Sequence, residues 1–471
     1  MVSVERLSAG VDESPREVPV EGGEDAVLLP GLADSHLHLV ATATSLCGLD
    51  LSSDHPGSID DLVERLATLA ARGSSEEWLR VSGFEESRLL EGRFPTVAEL
   101  DRAVGGRPLR LRHATRHASL LGSTARSRLA ALLGPGPAGG VSDTSAAVFG
   151  REVEITAAVG PRDESSLREG LREASRLLAS RGVTSVDEVT GSNDAVRVAR
   201  LAAAVAEGDV AQRVRVFVND AEAAPSAARA AGGHIEIVGA KLFAHDDAEA
   251  ASPRFAAAVA RARRAGWPVA VHAVEPDVVA RVVEVLRAAP PRAEVDGRPP
   301  RAALDRVEHA SLCPPELAQV LARAGIAVVT QPGFLRARGT KYLRDVEAPL
   351  HEWLYPLRTL LAAGVVVAGG SDAPIGPLDP AIALGAAIDR RAADGETIAP
   401  GEGVSAAVAL DLYAGGPRRV RGEVPRGSRL LHEGWFVAGA TGDVVALARE
   451  RAAAMTGRTP SEGPGYSNRK T

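Results

Sequence analysis

Lysine is nearly absent from this sequence: Lys241, Lys341 and Lys470 stand against 51 arginines. Wherever a cation is needed the chain writes arginine, so a lysine inside an apolar run calls for a reason of its own. Cysteine is equally scarce. Cys47 and Cys313 cannot build a disulfide framework or a cysteine-rich zinc site, and such usage suits a reducing compartment. No basic block interrupts a formal net charge of -7, which argues against nucleic acid as a partner. No uninterrupted apolar run is long enough to cross a bilayer, which argues against a membrane as a partner. The opening MVSVERLSAGVDESPREV lacks the basic start and apolar core of a signal peptide, so a cytoplasmic location is expected.

What the chain has is a rhythm. Short β-branched runs recur at 182–189, 213–220, 234–244, 267–274, 304–310, 325–332 and 364–374, with an opening run at 26–34. Between them lie Ala/Leu/Arg helical patterns such as 166–182 and 252–267, several ending in glycine as a helix C-cap would. Strands alternating with helices predict a parallel sheet, and eight of them predict an α/β (β/α)8 TIM barrel over residues 28–417. Two regions break the rhythm. Residues 45–165 are too long for one βα unit and are expected to form an inserted subdomain over one end of the barrel. Residues 1–27 and 418–450 are expected to meet as a small β-sandwich, leaving 451–471 as a flexible tail.

Polar residues stand at the ends of the apolar runs. His36 and His38, in PGLADSHLHL, share one strand face at i, i+2. Alone they fit either a strand with a polar rim or two imidazoles on one metal ion. Lys241 ends IEIVGAK, His272 ends WPVAVH, His309 ends LDRVEH, and Asp372 follows VVVAGGS. Strand C-terminal ends form the catalytic face of such a barrel. The intervals 241–272 and 272–309 each match about one βα unit, and 309–372 about two, passing over the strand that ends at Gln331. Imidazole and carboxylate are natural zinc ligands. An ammonium is not, but a buried lysine has a lowered pKa, and its neutral amine can combine with carbon dioxide to give a metal-bridging carbamate. The alternative for Lys241 is a salt bridge to Asp246 or Asp247.

With these residues in this order, the sequence resembles the metal-dependent amidohydrolase superfamily over most of 26–450. PGLADSHLHL, KLFA, VAVHA, RVEHA and GGSDAP are similar to the branch containing N-substituted formamide deformylases (amidohydrolase family 3-like). WLRVSGFEE and RLRHATRHASLLGSTA look like that branch's insertion, with His117 at its histidine. The resemblance implies a hydrolase holding one or two divalent ions, most naturally zinc. His36, His38 and Asp372 would hold the first, His272 and His309 the second, and carbamylated Lys241 would bridge them. It implies cleavage of a non-peptide C–N bond of a small molecule (amide, N-formyl or cyclic amide) by metal-activated hydroxide. Asp372 would then move the proton, and the second metal with one histidine, from the candidates His309 and His272, would polarise the carbonyl.

Departures narrow what carries over. The stretch after Lys241 reads HDDAEAASPRF where the branch usually has Leu-Gly-Ser-Arg, and Thr115-Arg116 replace its Asp-Gly. The alternative functions are ester or lactone hydrolysis, decarboxylation or isomerisation on the same centre, or a non-catalytic barrel. Candidate substrate contacts are His117, His245 and Glu85, each against an ordinary reading as a hydrogen-bonded, solvent-facing or solvated loop residue. Cys313, Phe334 and Gln331 read as packing or rim residues, and self-association as a homodimer is left open.

Overall fold

The computed structural model describes residues 27–46, 49–51, 55–71, 77–114, 118–133, 145–160, 164–219, 224–295, 302–421 and 435–438. The chain divides into two compact units, residues 40–174 and the remainder.

In the larger unit, eight strands form one parallel sheet: Leu32–Leu37, Val183–Glu188, Arg213–Val218, Glu236–Phe243, Val269–Ala273, Arg306–His309, Ala327–Thr330 and Val367–Gly369, hereafter the first to eighth strands. They lie side by side in chain order. The sheet curls until its two edges almost meet. Asp372 N donates to His36 O at 2.7 Å, His38 N donates to Ala373 O at 3.1 Å, and Ser371 N donates to the Asp34 carboxylate at 3.0 Å. The result is a near-closed parallel barrel. Each edge joins the other through the residues that follow the eighth strand.

Burial explains the composition of these strands. Val269, Ala270, Val271 and Ala273 are all inaccessible, as expected where both faces of a parallel sheet are covered. The helices between them bury one stripe each. Pro276–Ala288 buries Val278, Val279, Val282, Val283 and Leu286. Pro253–Arg264 begins with a Ser252 cap and a first-turn proline, and Pro315–Ala324 ends at Gly325, whose φ of 65° suits glycine.

The opening run departs from expectation. It is two strands rather than one, broken at Gly31, where a Cβ would fall 2.1 Å from Thr184 Oγ1. Val27–Pro30 pairs antiparallel with Trp435–Ala438, while Leu32–Leu37 enters the barrel. Nearly all of the expected terminal sandwich and all of the expected tail lie outside the described residues; this two-stranded ladder is what the structure describes there. Residues 418–421, expected to begin the terminal β domain, instead finish the helix Gly415–Val420 and supply its cap.

The unit of residues 40–174 falls in the chain between the first and second barrel strands, and is wider at both ends than the expected 45–165. It contains a five-stranded mixed sheet. Leu49–Asp50, Leu79–Phe84 and Leu109–His113 run parallel; Ala118–Leu121 and Ala147–Phe149 continue it antiparallel. Helices Ile59–Ala70 and Val97–Val104 pack Leu62, Leu66 and Leu100 into its core, and Thr96 with Glu99 forms a capping box on the second.

Candidate metal centre

His36 sits inside the first strand and His38 immediately after it, so both imidazoles face the same way. Asp372 follows the eighth strand across the near-closure, held there by its N–H on His36 O. The ligand atoms of these three residues lie within 4.8 Å of one another. Asp372 Oδ1 is 2.9 Å from His38 Nε2 and 3.4 Å from His36 Nε2. Neither approach is aligned as a hydrogen bond, and Oδ1 is buried without a hydrogen-bond partner among the described residues.

The other candidates stand beside them. The His309 ring lies 4.9 Å from that of His36 and 4.6 Å from that of His272. Lys241, two residues before the end of the fourth strand rather than at it, is 3% exposed. Its Nζ has no hydrogen-bond partner among the described residues and lies 5.5 Å from the centre of the Phe243 ring. The salt bridge offered as an alternative is absent, because Asp246 caps the next short helix and Asp247 pairs with Arg281.

Hydrogen bonds occupy one nitrogen on each of three imidazoles. His36 Nδ1 faces Glu308 Oε2 at 2.5 Å, His38 Nδ1 faces Thr190 Oγ1 at 3.0 Å, and His309 Nδ1 faces Gln331 Oε1 at 2.8 Å. Each ring is therefore pinned at Nδ1, which leaves Nε2 to ligate, the usual outer-shell arrangement of a metal-bound histidine. Backbone strain gathers at the same residues. His309 (φ 76°), Ala310 (φ 44°) and Asp372 (φ 53°) adopt the left-handed conformation that side chains disfavour.

Electrostatics fit a cation. Burial pushes the Lys241 ammonium down to about 8, with Glu308 and Asp372 opposing and Arg306 assisting. Burial lowers His272 to about 2 and His309 to about 4, helped by neighbouring positive groups, so both are neutral at pH 7. Burial would raise Asp372, but His36 and His38 hold it well below the usual carboxylate range. His36 is raised, because Glu308 and Asp372 outweigh its own desolvation. Two buried atoms without partners, free Nε2 atoms and two carboxylates facing histidines make a donor set that a divalent cation would complete.

The expected substrate contacts fare unevenly. His245 is exposed at the rim, with its ring 5.3 Å from that of His272, stacked on Phe243 and bonded through Nδ1 to Glu249 at 2.8 Å. Glu85 lies in the other unit, where its N–H donates to His55 Nε2 and Oε1 accepts from Ser87. His117, with Thr115 and Arg116, lies outside the described residues.

Reading the sequence missed Glu308 and misjudged Gln331. Glu308 was passed over as part of a strand, although RVEH places two charges at alternate positions of a buried strand, a pattern that demands partners. Gln331, taken for packing or rim, is the partner of His309.

A model of the Amidohydrolase family matches residues 24–461. The chain belongs to the amidohydrolase family. Among curated amidohydrolase relatives, YtcJ of Bacillus subtilis (strain 168) is 26% identical over 433 residues, covering 83% of this chain and 79% of that protein. The N-substituted formamide deformylase of Arthrobacter pascens is 25% identical over 482 residues, covering 91% and 85%. Two solved structures share the fold. An uncharacterized metal-dependent hydrolase from Pyrococcus horikoshii OT3 aligns with a TM-score of 0.69 at 19% identity, covering 90% of this chain and 88% of that one. Another from Pyrococcus furiosus aligns with a TM-score of 0.66 at 23% identity, covering 88% and 87%. Among the described residues, no helix is long and apolar enough to cross a membrane.

Proposed function

We propose that this amidohydrolase is a metal-dependent hydrolase that cleaves a non-peptide C–N bond of a small molecule, an amide, N-formyl group or cyclic amide. The observation that carries the reading is the convergence of His36, His38 and Asp372 within 4.8 Å, beside a buried Lys241 amine with no hydrogen-bond partner among the described residues. Family membership supports the reaction class, and the formamide deformylase relative supports an N-acyl substrate.

His36 Nε2, His38 Nε2 and an Asp372 oxygen would hold a divalent ion, most naturally zinc, with His272 and His309 available to a second. When bound, such an ion supplies Lewis acidity, which lowers the pKa of a water and polarises a carbonyl. The chain's own groups do the rest. Asp372 Oδ1, fixed between two imidazoles, takes the proton from the attacking water and delivers it to the departing nitrogen. His272 and His309, neutral at pH 7, would offer lone pairs to a second ion, which would face the carbonyl oxygen as it develops charge. Lys241, with its amine partly unprotonated near pH 8, can form an N–C bond to carbon dioxide with loss of one proton, giving a carboxylate in place of a cation.

The test is hydrolysis of a panel of N-formyl, N-acyl and cyclic amides by metal-loaded protein, run beside esters and lactones of matched size. Turnover of amides that disappears on chelation supports the reading, and turnover confined to esters or lactones replaces it. Lys241→Arg keeps the charge and forbids the carbamate. It should lose most activity, and full activity in that variant would remove the carbamate from the account.

A further inference from the structure

We infer that Glu308 is a positioning residue for the metal site, fixing His36 as an Nε2 ligand from inside the barrel. The inference rests on the metal reading above and adds a residue to it. Three imidazoles of the site have Nδ1 partners, but those of His38 and His309 are neutral, a hydroxyl and an amide. His36 alone of the three faces a carboxylate at Nδ1. A carboxylate only accepts, so Nδ1 must carry the hydrogen, and the neutral ring then offers its lone pair at Nε2. The charge also makes the imidazole a stronger donor to a cation.

Glu308 is itself anchored. It is fully buried, and its other oxygen accepts from Arg306 Nε at 2.5 Å. Arg306 Nη1 donates to Asp187 Oδ2 at 2.8 Å, and Nη2 donates to the carbonyl of Ser35, the residue before His36, at 3.0 Å. The guanidinium lies over the Phe217 ring at 4.3 Å. Asp187 is gripped further by Arg215 at 3.0 Å and Arg421 at 3.1 Å. One fork of Arg306 thus holds both the carboxylate that faces His36 and the backbone that carries His36. Aliphatic side chains usually fill such a barrel, and a buried ion network stabilises a core no better than they would. A network that ends on an imidazole Nδ1 has a use that aliphatic packing cannot supply.

Glu308→Gln tests this at constant size. The amide has one accepting and one donating end, so it cannot accept from both His36 Nδ1 and Arg306 Nε. Zn2+ affinity is measured by competition with a chromophoric chelator, the ligand-field spectrum is recorded with Co2+, and melting of the metal-free protein reports the fold. Zn2+ affinity should fall about 10- to 100-fold and the Co2+ spectrum should change while the metal-free variant still melts cooperatively. Glu308→Asp provides a second arm. It keeps the charge and stays beside Arg306 on the same strand, but draws back from His36, and should show the same loss. Wild-type Zn2+ affinity and an unchanged Co2+ spectrum in either folded variant would overturn the inference. Failure of both variants to fold would also overturn it, by making Glu308 a requirement of the barrel instead. A wild-type protein that takes up no Zn2+ would refute the metal reading itself, and this inference with it.

Discussion

Gln331 Oε1 accepts a hydrogen bond from His309 Nδ1 at 2.8 Å, and the other end of the amide fixes that direction. Its Nε2 donates to Val329 O at 3.3 Å, so the oxygen must face the imidazole. His309 therefore carries its hydrogen on Nδ1 and presents Nε2. Gln331→Leu removes the acceptor at similar volume and should weaken divalent metal binding by about 10-fold or more. Chelator competition checks it; unchanged affinity would mean that strand backbone alone orients His309.

Gly370 passes so close to the first strand that a Cβ there would lie 2.7 Å from His36 N and 2.5 Å from His36 Cβ. These are backbone-fixed atoms that cannot swing aside. Gly370→Ala should cost about 1–3 kcal/mol of stability and displace His36 from Asp372. Urea denaturation and metal content measured on the same preparation check both effects.

The buried network around Asp187 holds two carboxylates, Glu308 and Asp187, against the guanidiniums of Arg306, Arg215 and Arg421. Burial would raise Asp187, but these three arginines bring it down to about 2. Removing one partner from such a cluster leaves charges stranded. Arg306→Met should cost about 3–5 kcal/mol by urea denaturation. A loss below about 0.5 kcal/mol would show that the network relaxes without it.

The metal-free protein should weaken in acid through its histidines. His272 and His309 are lowered to about 2 and about 4, from 6.5 when unfolded. Below pH 6.5 the unfolded chain takes up protons that the folded site refuses, so stability present above that pH is lost as pH falls toward 4 and below. His272→Asn removes one such proton. Urea midpoints at pH 7, 6, 5 and 4 should fall less steeply in the variant, by about 1.4 kcal/mol per pH unit in free energy. Identical slopes would place the acid sensitivity elsewhere.

Local signals made the barrel legible. Most β-branched runs fill a largely buried strand, and several helices have an apolar stripe and an end signal, so eight strands could be counted before any contact was known. The candidate site showed itself because His36, His38, Lys241, His272, His309 and Asp372 are polar where a strand runs out. The rest depended on distance. The run at 26–34 looked continuous, but it divides between two sheets at Gly31, where Thr184 leaves no room for a side chain. Spacing alone passed over the seventh strand, yet Gln331 beyond its end holds His309. Arg421 reaches Asp187 across 234 positions of sequence, a partnership no local pattern announces.

The most direct test of the account is the divalent metal content of the wild-type protein and of Asp372→Ala, prepared without chelator, reconstituted with Zn2+ and dialysed side by side. The account predicts one to two ions per wild-type chain and a loss of at least one in the variant. A wild-type chain that retains no ion, or a variant that retains as many, would contradict it.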